Sequence, residues 1–222
     1  VAESMSPLLV LQYGRPPCLP TYYFSPEEVD ETCLTGETKQ EDGSTSWDVE
    51  VGGRRADSAA WPHPEPIGDL APLSQRITFD WWGDLRWFEE EEEVFAHARD
   101  PFKRVDVLSS SRHVQVYIDG EKVADSRRPT MLFESYLPDR YYLPREDVRL
   151  ETLDVSDTST MCPYKGKARH WSAGGTDVAW SYEDPVPENP RIKDLVSFYN
   201  ERVDLIVDGV LQDRPKSPWD QE

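Results

Sequence analysis

Cysteine is scarce in this chain, long apolar runs are missing and positive charge is in deficit. The three cysteines, Cys18, Cys33 and Cys162, are widely spaced and form no CxxC pair. That leaves no basis for a paired-thiolate zinc site or a disulfide framework, so no metal is expected and the thiols read as those of a reduced, cytoplasmic protein. No apolar stretch approaches the ~18 residues of a membrane span, and no signal-peptide pattern opens the sequence. Lysine and arginine total 24 against 43 aspartates and glutamates, a formal net charge of −19 with a pI near 4.6. A surface of that sign repels phosphate backbones and anionic lipid, so neither nucleic acid nor a membrane is an expected partner. Glycine-rich phosphate loops and paired magnesium-binding aspartates are also absent, and no cofactor is expected.

What is present is a repeat. Tyr22-Tyr23-Phe24-Ser25-Pro26-Glu27-Glu28-Val29 reads like Tyr141-Tyr142-Leu143-Pro144-Arg145-Glu146-Asp147-Val148, an offset of 119 residues. At that offset Ala60-Trp61 meets Ala179-Trp180, and Ile77-Thr78-Phe79 meets Val196-Ser197-Phe198. Gly52-Gly53 and Gly174-Gly175 correspond after a short gap. Upstream, Val1-Ala2-Glu3-Ser4 matches Val123-Ala124-Asp125-Ser126 at an offset of 122, which places a three-residue insertion in the 14–21 loop. Ordered blocks with small gaps indicate two diverged tandem copies. Residues 1–105 form the first, 106–214 the second and 215–222 a tail, with 100–112 joining the copies. The segment 113–122 has no counterpart before Val1, so copy one is expected to lack its first strand, which would leave an unpaired edge.

The pattern within each copy is mostly β. Val114 to Ile118 alternates, Asp119-Gly120 supplies a two-residue turn, and Lys122-Val123-Ala124 returns. Residues 131–136 read as a strand, and 147–153 as another on the alternation of Val148, Leu150 and Leu153. Segments 167–172 and 177–182 flank Gly174-Gly175 as a second hairpin. Residues 203–211, turning at Asp208-Gly209, make a third. Ile192, Leu195, Val196 and Tyr199 fall at i, i+3, i+4 and i+7, which predicts a helix over 190–200 with a shorter counterpart over 70–81. The acidic run 89–93 reads as a solvated edge or loop. The fold class is therefore α+β, dominated by antiparallel sheets, with about one helix per copy.

Cys162-Pro163-Tyr164-Lys165-Gly166 is the densest chemistry in the chain. A proline there marks a strand end or bulge and Gly166 permits a bend, which would turn Tyr164 and Lys165 toward a cavity. Lys165 is a candidate anion ligand or, if burial lowers its pKa, a nucleophile; Cys162 is a candidate nucleophile if a cation such as Lys165 or His170 stabilises its thiolate. The alternative is a packed cysteine, an exposed lysine and a structural turn. Glu134 follows apolar Phe133, and pointing inward it would need Arg127, Arg128 or Lys165 as a partner. Tyr141, Tyr142, Trp171, Trp180 and Tyr182 are candidates for an aromatic cage, or for ordinary core packing. His170 alternates with Trp171, so the two face opposite sides of a strand unless a bulge intervenes. Copy one carries Gln40-Glu41-Asp42-Gly43-Ser44 where copy two carries the Cys-Pro-Tyr-Lys-Gly motif.

These blocks resemble a bacterial and fungal family classed as domain of unknown function 427, sometimes given a label that suggests nucleotidyltransferase kinship. The resemblance rests on Val123-Ala124-Asp125-Ser126-Arg127-Arg128-Pro129 with Leu132-Phe133-Glu134, on Tyr141-Tyr142-Leu143-Pro144 with Glu146-Asp147-Val148, on the Cys162 motif with Trp171-Ser172, and on Ala179-Trp180-Ser181-Tyr182. It covers about residues 113–214, with copy one following more loosely, and the tandem arrangement is similar to actinobacterial members. It implies a small β-tent-like fold, a bent pair of antiparallel sheets, shared with methionine sulfoxide reductase B and the drug-binding domain of cereblon. Those relatives often hold zinc through CxxC pairs that this chain lacks, and the nucleotidyltransferase label finds no motif here. The expectation is a small-molecule-binding module with its pocket in copy two. The alternatives are an enzyme using Cys162 or Lys165 with Glu134, and a protein-interaction scaffold.

Overall fold

The computed structural model describes residues 1–11, 19–39, 43–64 and 66–217. Two compact units divide the chain, Val1–Asp100 and Pro101–Glu222. Among the described residues every pairing between strands is antiparallel, and no helix is long and apolar enough to cross a membrane.

The first unit runs β1 (Leu8–Val10), β2 (Thr21–Tyr23), β3 (Leu34–Lys39), β4 (Thr45–Val51), β5 (Arg54–Pro62), β6 (Ile77–Phe79), β7 (Trp87–Glu89) and β8 (Glu92–Val94). Strands β3-β4-β5-β6 form one sheet, and β1 pairs with β2. A bridge between Phe24 and Ile77 connects the two sets. Phe24, Val49, Ala60 and Phe79 lie at the centre of its core. The acidic run falls on the β7–β8 hairpin, with Glu90 at positive φ in its turn.

The second unit runs β9 (Val105–Ser109), β10 (Val114–Ile118), β11 (Glu121–Ser126), β12 (Thr130–Glu134), β13 (Arg140–Leu143), β14 (Asp154–Cys162), β15 (Gly166–Ala173), β16 (Thr176–Pro185), β17 (Val196–Phe198), β18 (Asp204–Val207) and β19 (Val210–Leu211). A seven-stranded sheet is ordered β14-β15-β16-β17-β13-β12-β9, and a smaller one β11-β10-β18-β19. All three expected hairpins are present. Asp119 and Gly120 both take positive φ, as do Asp208 and Gly209, the requirement of the tight turns that match strand twist. The equivalence of the units extends to pairing. Phe24–Ile77 repeats Leu143–Val196, and the Ala2–Val29 bridge repeats Ala124–Val148. One difference stands out: β18 pairs with both β10 and β19, whereas its equivalent β7 pairs only with β8 among the described residues.

Three segments depart from the sequence expectation. The 190–200 stretch is a single 3₁₀ turn, Pro190–Ile192, followed by β17, and 70–81 is likewise a 3₁₀ turn, Gly68–Leu73, followed by β6. Val196, Ser197 and Phe198 are all buried, so β17 is covered on both faces and its apolar residues do not alternate. Such a run mimics helical spacing, and the left-handed Asp194 ends any helix before it starts. Residues 147–153 hold two 3₁₀ turns, Arg145–Asp147 and Leu150–Thr152, with Val148 held by its bridge to Ala124. The joining segment is not plain linker, because it carries β9, an edge strand of the large sheet.

Gly166 opens β15 at φ +100, and a Cβ there would sit 3.0 Å from the Asp184 carbonyl oxygen. Gly120 also has positive φ, but a Cβ on it would meet open space. Gly166→Ala should therefore cost about 1–3 kcal/mol, clearly more than Gly120→Ala. Urea denaturation of the two variants measures the difference.

Candidate functional site

Alternation along three strands assembles one cavity in the second unit. Leu132 and Glu134 on β12, Arg140 and Tyr142 on β13, and Trp180 and Tyr182 on β16 are each two residues apart and share a sheet face. With Thr160, Lys165, His170, Tyr199, Leu137 and Pro138 they line a cavity of about 170 Å³. The opposite face, carrying Leu143, Trp171, Ala179 and Phe198, packs into the unit's main core.

The Cys-Pro-Tyr-Lys-Gly motif is the turn between β14 and β15. Cys162 pairs with Gly166 across it, and the Lys165 N–H donates to the Cys162 carbonyl at 3.3 Å. The turn is pinned from outside: Val186 N–H donates to the Lys165 carbonyl at 3.2 Å, and Asn189 Nδ2 to the Tyr164 carbonyl at 2.7 Å. Lys165 is thereby aimed inward, where Nζ donates to Glu134 Oε2 in an ion pair whose two side chains are almost fully buried. Lys103 Nζ approaches the other carboxylate oxygen, Oε1, at 3.4 Å and donates to the Ser135 carbonyl at 2.7 Å. Burial on its own would disfavour the charged form of Lys165. The Cys162 sulfur and the Glu134 carboxylate outweigh it and hold the ammonium above its ordinary range. A lysine so held does not present the unprotonated amine that an imine-forming nucleophile needs.

Aromatic groups form much of the remaining wall. Trp180 Nε1 donates to Tyr142 Oη at 3.1 Å, with the rings edge to face at 6.2 Å. Trp180 lies 4.6 Å from the Tyr199 ring, and the Arg140 guanidinium sits 5.4 Å over its indole. Arg140 is itself clamped by Glu201 through two bonds of 2.7 and 2.6 Å. Burial pushes the Tyr142 phenol up to about 12 and raises that of Tyr182, so both hydroxyls stay protonated. His170, only 2% exposed, places Nε2 3.0 Å from Thr160 Oγ1 and Nδ1 3.5 Å from Tyr199 Oη. Burial lowers its pKa.

Of the residues singled out in the sequence, Glu134, Lys165, Tyr142, Trp180 and Tyr182 come together. The others lie elsewhere. Arg128 is exposed and pairs with Glu146 and Asp147, and Arg127 is exposed beside it. Neither is the partner of Glu134. Trp171 and Tyr141 pack in the main core, with Arg145 and Arg169 each 5.6 Å from the Trp171 ring. Tyr164 is half-buried, and Cys162 is a half-buried free thiol at the end of β14; neither lines the cavity. The copy-one counterpart 40–44 lies largely outside the described residues.

Arg140, Tyr199, Thr160 and Lys103 were not singled out in the sequence, and His170 was named only as a candidate cation beside Cys162, not as a cavity residue. For His170 the reason is a β-bulge. Across β15 and β16 the register passes from Ser172–Asp177 to Trp171–Ala179, leaving Val178 unmatched. Counting straight from Gly174-Gly175 sets Trp171 on the face of Trp180. With the extra residue, His170 pairs with Trp180 and faces the cavity, while Trp171 turns to the core.

The family described as a domain of unknown function, DUF427, matches residues 1–90 and again 106–209. The chain belongs to this family. The two matched segments agree with the two sets of repeated blocks. No curated protein matches the chain. Within this DUF427 member, no group of three or more His, Cys, Asp or Glu among the described residues is placed to hold a metal ion.

Two outcomes test the site's electrostatics. Glu134→Ala should leave Lys165 as a buried uncompensated cation at a cost of about 3–5 kcal/mol, and the Glu134→Met/Lys165→Met double variant should recover most of it. Chemical denaturation of the three proteins reads this directly. For His170 the folded pKa lies below the unfolded value of about 6.5. Stability is therefore complete above that pH and is lost as pH falls between the two, because only the unfolded chain binds the proton. His170→Gln should flatten that part of a stability–pH profile.

Proposed function

We propose that this DUF427 chain is a small-molecule-binding module whose pocket is the Glu134–Lys165 cavity of the second unit. The observation that carries the reading is the buried ion pair itself. A salt bridge inside a protein adds little stability over apolar side chains of the same volume, because desolvation offsets attraction. Here the pair sits on the wall of a cavity rather than in solid core, among hydroxyl, imidazole and guanidinium groups that converge on one space. A wall of apolar and aromatic side chains with a few placed polar groups is the usual composition of a ligand site. The two sheets of the second unit would correspond to the halves of a β-tent, with the cavity on one face of the larger. Lys165 reads as a ligand-orienting cation rather than a nucleophile, which places the binding reading ahead of an enzymatic one.

A thermal-shift screen of small metabolites tests it. A ligand that binds only the folded state raises the apparent stability by mass action, about 2.7 kcal/mol at a hundred times Kd. At least one chemical class should stabilise the wild type and lose its effect in both Glu134→Gln and Lys165→Ala. A ligand that stabilises the wild type and both variants equally would place the binding site elsewhere.

A further inference from the structure

The cavity's unspent hydrogen-bond capacity and its charge balance say more about the occupant than the existence of a pocket does. Glu134 is the anion of the cluster, and both its oxygens are engaged, Oε2 by Lys165 and Oε1 by Lys103. Between carboxylates and ammonium groups alone, two cations stand against one anion here. The other charged lining group, Arg140, is neutralised by Glu201. His170 adds no charge at neutral pH, since burial keeps it neutral. The Glu134 end of the cavity thus gathers two ammonium groups around one carboxylate, although the chain as a whole is strongly acidic.

The hydroxyls point the same way. Tyr182 lines the cavity and is 5% exposed, yet its hydroxyl has no hydrogen-bond partner among the described residues. Tyr142, fully buried, accepts from Trp180 and keeps its own proton to give. Lys165 spends one of its three N–H donors on Glu134. N–H and O–H donors of Lys165, Tyr142 and Tyr182 thus line the cavity with capacity to spare. Size limits the occupant further. About 170 Å³ is close to the ~150 Å³ that holds one benzene ring, and below the range for drug-sized ligands. Leu132, Leu137, Pro138 and the Trp180 ring supply the apolar surface for such a body.

We propose that the cavity selects a small carboxylate, of one ring or a short carbon chain, whose oxygens accept from Tyr182, Tyr142 and Lys165 while its apolar part packs on Trp180. This rests on the binding reading above and narrows it to one ligand class. Glu134 does not repel the carboxylate, because its charge is already offset by the two lysines. Lys103 contributes charge without lining the cavity.

The test is calorimetric titration of the full chain with three probes of one shape: benzoate, neutral benzamide and cationic benzylamine. Benzoate should bind most tightly and benzylamine not measurably. Tyr182→Phe, which removes one oxygen atom, should weaken benzoate about tenfold, and Lys103→Met should weaken benzoate while leaving benzamide unchanged. Circular dichroism melts of both variants establish that they fold. Benzamide binding as tightly as benzoate, with Lys103→Met silent, would overturn the anionic class and leave the pocket standing. Preference for benzylamine would do the same. Failure of all three probes, while a screened compound of another class still stabilises the protein through Glu134 and Lys165, would reject the carboxylate and keep the module. Failure of every compound would reject both.

Discussion

The unmatched residue Val178 decides which side of the seven-stranded sheet His170 and Trp171 of β15 share with the residues of β16. Side chains alternate with a strict period of two, so one inserted residue exchanges the faces of everything beyond it. With the bulge, Trp171 joins Leu143, Ala179 and Phe198 in the main core, and His170 joins Tyr142 and Trp180 at the cavity. Without it, a large indole would crowd the cavity and an imidazole would enter an apolar core without partners. At His170 and Trp171 the separate characters of the sheet's two faces, one hollow and polar, the other solid and apolar, thus follow from this bulge.

On the hollow face the ion pair sets the chemistry. Glu134 ends β12 and Lys165 closes the β14–β15 turn, so the two are far apart in the sequence and come from strands well separated in sheet order. Their meeting needs the intervening strands β15, β16, β17 and β13 in place. It also needs Gly166 at a φ that favours glycine, with the turn pinned by Val186 and Asn189. The site is therefore a product of the whole sheet rather than of one motif. Its lysine is held protonated, against burial, by neighbours of opposite charge, and its tyrosines are held neutral by burial.

The two units share pairing at equivalent positions but not equipment. Tyr23 and Trp61 stand where Tyr142 and Trp180 stand in the second unit, so part of the aromatic wall is repeated. His63 occupies the place of Tyr182 and packs against Tyr23 at 5.8 Å. The Cys-Pro-Tyr-Lys-Gly turn has no equivalent in the first unit's sequence. Scaffold residues thus recur in both units, while the residues that give the cavity its charge occur in one.

The sequence by itself determined the repeat, the antiparallel character and the three hairpins, because these rest on local signals: period-two alternation and Asp-Gly or Gly-Gly turns whose φ angles only a few residues accept. It also determined that Glu134, if turned inward, would need a cation, since the cost of a lone buried carboxylate does not depend on the fold. Only the tertiary structure decided that the cation is Lys165, aided by Lys103, rather than Arg127 or Arg128, because that choice depends on which strands the sheet brings together. It alone decided that residues 196–198 form a strand covered on both faces, where apolar spacing carries no period to read. And it alone decided that His170 rather than Trp171 faces the cavity, because a bulge leaves no mark in composition or periodicity and shows only in the pairing of one strand against the next.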